Sequence, residues 1–126
     1  MKLIFAVAVG GAVGAVARHL MTLQFALMFG HGFPWGTFFV NALGSFLLGG
    51  LIEVFAVLWS PNEALRGFLV VGVLGAFTTF STFSMDAFLL YDRGQWSAAA
   101  IYIMASVALS IVGLFVGLRI FRLVLV

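Results

Sequence analysis

Between Gly72 and Ser84 the sequence reads GVLGAFTTFSTFS, setting five hydroxyl side chains and three phenylalanines into an otherwise apolar stretch. Uncharged O–H donors can compensate an ion for lost water without trapping it by charge. The same residues disturb a helix. Ser and Thr compete for backbone hydrogen bonds and Gly is a poor helix former, which predicts a break near Gly75–Thr79. Non-helical backbone at membrane depth persists only when buried in protein or lining a wet cavity. The stretch therefore reads as an ion site or a pathway.

Other uncharged hydrogen-bonding groups recur at helical spacing. Thr37, Asn41 and Ser45 lie four residues apart, as do Tyr102, Ser106 and Ser110, so each trio forms a polar stripe on one helix. Packing between helices is the other reading of such a stripe. Phe80 and Phe83 are three apart, hence on one face, and a phenyl edge is the positive part of its quadrupole, suited to an anion in a dry slot. Lipid contact or packing is the other reading, and spacing alone favours it. Arg18 lies deep in an apolar run, where a guanidinium either snorkels to the interface or faces a wet vestibule whose potential gathers anions.

What is missing also constrains the chemistry. The sequence has no Cys, and its two histidines lie near the first turn, so neither a thiolate nor a His metal site is supported. No nucleophile–base pair or phosphate loop is visible, which argues against an enzyme. Glu53, Glu63, Asp86 and Asp92 fall towards the ends of apolar segments or in turns, with Glu53 placed to reach the headgroups. A proton-coupled pump would place a carboxylate deeper.

These groups must be positioned by membrane helices. With 64% hydrophobic and 8% charged residues over 126 positions, the chain lacks the polar surface of a soluble globule. Four apolar segments, about 3–29, 35–59, 67–91 and 96–121, are each long enough to cross a bilayer, giving one all-α transmembrane domain over residues 1–126. The start resembles a signal peptide but lacks a small-residue cleavage pattern, and reads as a retained first helix. Gly10 and Gly14 form a small-xxx-small pair for close helix approach. Trp35 and Trp59 would lie roughly 36 Å apart on a straight helix, near opposite interfaces. Six basic residues spread along the chain form no nucleic-acid patch. Four spans gather Lys2, Arg66, Arg119 and Arg122 on one side against Arg93, a bias too modest to forbid insertion in both orientations.

The segments GGAVGAVAR (Gly10–Arg18), PWGTFFVN (Pro34–Asn41), NALGSFLLG (Asn41–Gly49) and GAFTTFSTFS (Gly75–Ser84) resemble the Fluc (CrcB) fluoride channel family over the full length. The resemblance implies an antiparallel, dual-topology homodimer in the bacterial inner membrane, with two pores that passively export fluoride. It implies that Phe80 and Phe83 line the pores with their ring edges and that Asn41 is the pore-lining amide. Ser81, Thr82, Tyr102, Ser106 and Ser110 fall on the family's polar track, with Thr37 continuing the stripe of Asn41, and Arg18 where the family keeps a vestibule arginine. The backbone carbonyls of Gly75 and Thr78 are implied to hold a structural Na⁺ on the dimer axis. One departure stands out, Asp86 where the family usually has Glu. The runner-up, a small multidrug resistance-type exporter, would want an acidic residue in its first helix. A third class, a membrane assembly factor that transports nothing, would use the polar stripes only as packing glue.

Overall fold

The computed structural model describes residues 1–126 as helices throughout, joined by short links. Helix α1 runs Lys2–Phe29 and α2 Trp35–Val57. The third span is divided. Its first part, α3 (residues 63–77), starts as an α-turn at Glu63–Arg66, widens to π-helical form over Gly67–Leu74 and closes with Gly75–Phe77. Its second part, α4, is Ser81–Asp92, and the last span, α5, is Trp96–Leu125. All four spans have the length and hydropathy to cross a membrane.

Each element begins or ends where local chemistry dictates. The Asn62 side chain accepts the Leu65 N–H at 2.8 Å and caps α3, with Glu63 in the favoured first turn and Arg66 in the last. Gly30 and Gly94 end α1 and follow α4 with φ of 79°, a conformation that glycine adopts without a steric penalty. Pro34, which cannot donate, precedes α2.

Only 20 of 126 residues are buried, and large apolar side chains cover the outside, as lipid contact requires. The helices are held at seams of close backbone approach, of which α1–α3 and α2–α5 are the most extensive. Along the α1–α3 seam a Cβ on Gly10 would strike the Phe68 carbonyl, and one on Gly14 the Val73 carbonyl. Along the α2–α5 seam a Cβ on Gly49 would meet the Leu114 carbonyl, and one on Gly117 the Phe46 carbonyl. Lipid tails are as apolar as the helix faces, so van der Waals contact at such seams, not exclusion of water, drives association.

The structure differs from the sequence expectation at two points that bear on the site. Gly75–Phe77 is still helical, and the break lies at Thr78–Phe80, with Thr78 extended at φ −85°, ψ 157°. Glu53 does not reach for headgroups. It is buried in the α2–α5 seam with Oε2 3.8 Å from Arg122 Nε, because glycines at 49, 50 and 117 bring α5 close enough to cover it.

Gly14 and Gly11 provide a matched pair of substitutions. Gly14→Leu should lower the thermal midpoint of the detergent-solubilised protein through an overpacking cost of about 1–3 kcal/mol. Gly11→Leu should leave it unchanged, since a Cβ at that position would have nothing within 4 Å. Equal midpoints for the two variants would contradict the seam.

Candidate functional site

The break in the third span is a set of diverted backbone bonds. In an unbroken helix the Thr79 N–H would bond the Gly75 carbonyl and the Thr82 N–H the Thr78 carbonyl. Instead Thr79 N–H donates to Asn41 Oδ1 at 2.7 Å, and Thr82 N–H to Thr79 Oγ1 at 3.1 Å. Asn41 closes the exchange by donating from Nδ2 to the Thr79 carbonyl at 3.0 Å, leaving one amide N–H unused. The Ala76 carbonyl accepts from Arg18 Nε at 3.1 Å. Leu74 O accepts both the N–H and the hydroxyl of Thr78, while Phe80 O accepts the N–H and hydroxyl of Ser84. The diverted donors leave the carbonyls of Gly75 and Thr78 free, and the Phe80 N–H bonds no backbone acceptor.

A cavity of about 490 Å³ opens beside the break. Asn41, Ser45, Thr79, Phe80, Ser106 and Ser110 are among its lining residues, which include no ionisable side chain. The Ser106 hydroxyl is buried without a hydrogen-bond partner, which costs about 1–3 kcal/mol unless something uses it. Phe80 and Phe83 both line this cavity, but only Phe83 belongs to a helix. Phe80 sits in the break and is 76% exposed, whereas Phe83 is buried, and their ring centroids are 5.4 Å apart.

Behind Phe83 lies Tyr102, fully buried, with ring centroids 5.2 Å apart. Its hydroxyl donates to Asp86 Oδ2 at 3.1 Å. Asp86 in turn lines a second cavity, of about 350 Å³, together with Thr37, His31 and Arg93. The two cavities are thus linked through Phe83, Tyr102 and Asp86.

The structure gathers Asn41, Phe80, Phe83, Ser106 and Ser110 at one cavity and sends Thr37 to the other. Ser81 and Thr82 serve the break, Ser81 through a 3.3 Å contact between its Oγ and Thr79 Oγ1. Arg18 lines neither cavity and engages the Ala76 carbonyl. The sequence placed Ser45 on the Asn41 stripe and Thr79 in the hydroxyl cluster without giving either a role of its own. The signals were present, in the four-residue spacing from Asn41 and in a threonine three residues before the N–H it caps.

The two carbonyls implied for Na⁺ have both lost their helical donors and belong to residues that line the cavity, whereas Phe77, whose carbonyl also accepts no hydrogen bond, does not line it, so this donor set fits a hard cation, which prefers oxygen.

A multi-pass helical membrane protein, with uncharged polar cavities at a broken helix, is the class that this fold and site define. The profile of the CrcB-like proteins, described as Camphor Resistance (CrcB), matches residues 5–118. A protein of Rhodospirillum centenum is 52% identical over 122 residues, covering 97% of both chains. One of Nitrobacter winogradskyi is 50% identical over 121 residues, covering 96% of both. A third, of Agrobacterium fabrum, is 48% identical over 116 residues, covering 92% of this chain and 93% of its own. All three are named fluoride-specific ion channel FluC. The chain belongs to the CrcB family.

Tyr102→Phe should destabilise the protein by about 1–3 kcal/mol by leaving the half-buried Asp86 carboxylate without its hydroxyl donor. Ser81→Ala, at an exposed and long contact, should stay within about 0.5 kcal/mol of the parent. Reversible denaturant unfolding in micelles compares the two, and an unchanged Tyr102→Phe would show that the bond carries nothing.

Proposed function

We propose that the chain is a passive, fluoride-selective channel, working as one half of an antiparallel, dual-topology homodimer with two pores. The observation that carries this reading is the larger cavity, whose hydrogen-bonding groups are all neutral. The spare Asn41 N–H, the partnerless Ser106 hydroxyl, Ser45, Ser110 and the Phe80 N–H can replace an anion's water, and none carries the charge that would hold it. The Phe80 N–H also belongs to the start of α4, where a helix favours negative charge. Thr37 and Tyr102 continue the route towards the second cavity, past the neighbouring rings of Phe80 and Phe83.

The names of the relatives, fluoride-specific ion channel, support fluoride as the ion. The homodimer reading is supported by the position of Phe80 and Gly75, exposed at an open groove that a second copy would cover. A Na⁺ ion between the copies would be held by the carbonyls of Gly75 and Thr78 and would supply fixed positive charge there. Arg18, tied to the Ala76 carbonyl, adds positive potential near the same break.

The route holds no catalytic constellation, and α1 carries no carboxylate of the kind a proton-coupled drug exporter would use. Export in this scheme follows the ion's own gradient. HF enters acidified cells as a neutral acid, dissociates, and F⁻ leaves through the pore of the inner membrane.

Proteoliposomes loaded with fluoride or chloride, read by ion-selective electrodes, test the proposal. Fluoride should leave rapidly and chloride should not; no fluoride flux, or equal chloride flux, would end it. Phe83→Ile should slow fluoride efflux at least about tenfold, the effect of roughly 1.4 kcal/mol on the barrier, while the dimer persists on size exclusion. Asn41→Asp should abolish flux at neutral pH by setting a charge against the anion.

A further inference from the structure

We infer that Thr79 and Asn41 are positioning residues that keep the carbonyls of Gly75 and Thr78 free for a cation, an inference that rests on the sodium reading above. A helix interruption by itself frees whichever carbonyls happen to lose their donors. Here two side-chain oxygens hold the donors away. Asn41 Oδ1 takes the N–H that belongs by helical register to Gly75 O, and Thr79 Oγ1 takes the one that belongs to Thr78 O.

Of the neighbouring carbonyls four are taken by other donors, and Phe77 O, which accepts none, belongs to a residue that does not line the groove. Leu74 O accepts from Thr78, Ala76 O from Arg18, Thr79 O from Asn41 Nδ2, and Phe80 O from Ser84. Gly75 and Thr78 are three residues apart, hence on one side of the turn, and both line the groove where a second copy would bring its own pair. The Thr79 hydroxyl is therefore not a group on the ion route in the first instance. It acts through the backbone, by keeping the Thr82 N–H from competing with a cation for the Thr78 carbonyl.

Substitutions at Thr79 separate this role from ordinary stabilisation. Thr79→Val keeps the side-chain shape but loses the acceptor, so the Thr82 N–H can return to Thr78 O. The Na⁺ concentration giving half of the maximal thermal stabilisation, titrated against an impermeant organic cation, should rise about three- to tenfold, the effect of one net hydrogen bond on an equilibrium. Thr79→Ser keeps the acceptor and should titrate within about twofold of the parent. Asn41→Ala, which returns the Thr79 N–H to Gly75, should shift the midpoint in the same direction and carries the test if Thr79→Val yields no folded protein. A merely structural role would lower the melting temperature equally at every Na⁺ concentration with the midpoint unmoved, and that result would overturn the inference. A parent protein whose stability ignores Na⁺ altogether would instead overturn the sodium reading on which it rests.

Discussion

The reciprocal pair of hydrogen bonds between the Asn41 side chain and the Thr79 backbone is the interaction on which the site depends. A carboxamide presents a donor and an acceptor in the geometry of a peptide group, so it can stand in for the helical neighbours that Thr79 has lost. In a medium without water, an opened helix must find such substitutes or close again. Asn41 on α2 and Arg18 on α1 supply them from two sides. The polar cavity, the free carbonyls and the exposed Phe80 are consequences of the break being held open.

The Asn41 tether is short and Arg18 bonds through Nε, its innermost nitrogen, and each works because a glycine one turn away lets the backbones approach. Gly44, three residues from Asn41, lies where a Cβ would collide with Thr78 Cγ2. Gly14, four residues before Arg18, lies where a Cβ would meet the Val73 carbonyl and come within 3.1 Å of the Phe77 nitrogen. A side chain at either position would move its helix outward and lift the tether from the backbone. The glycines of the sequence thus serve the chemistry of the break as well as the packing of the bundle.

Much of this was legible in the sequence. Four spans follow from length and hydropathy, and the glycine pair at 10 and 14 pointed to close approach, because both signals are local and strong in membrane helices. The break was legible to within a few residues from Gly75 and the hydroxyls that follow. Its placement at Thr78–Phe80 was not, since it depends on where Asn41, thirty-eight residues earlier, finds backbone to bond. The π-helical form of Gly67–Leu74 left no periodic trace in a segment apolar on every face. Glu53 was misread for a related reason: a carboxylate near a helix end looks free until the partner helix that buries it is in place. The spacing of Thr37, Asn41 and Ser45 showed one stripe, and only the fold shows that it serves two cavities.

The separation of those cavities carries a constraint of its own. Tyr102 is wholly buried between Phe83 and Asp86, so its hydroxyl is held by the carboxylate and its ring by the phenylalanine. Asp86 has one methylene less than the glutamate expected by resemblance, yet it reaches the hydroxyl at 3.1 Å. A shorter arm fixes the carboxylate close to α4 and leaves it fewer rotamers with which to swing into the route. Negative charge beside an anion path is unfavourable unless it is offset, and the same cavity is lined by Arg93, whose Nε donates to the Leu89 carbonyl at 3.3 Å. In the proposed channel the uncharged donors of one cavity and the opposite charges of the other would divide the work, the first desolvating an anion without trapping it and the second meeting it while still hydrated.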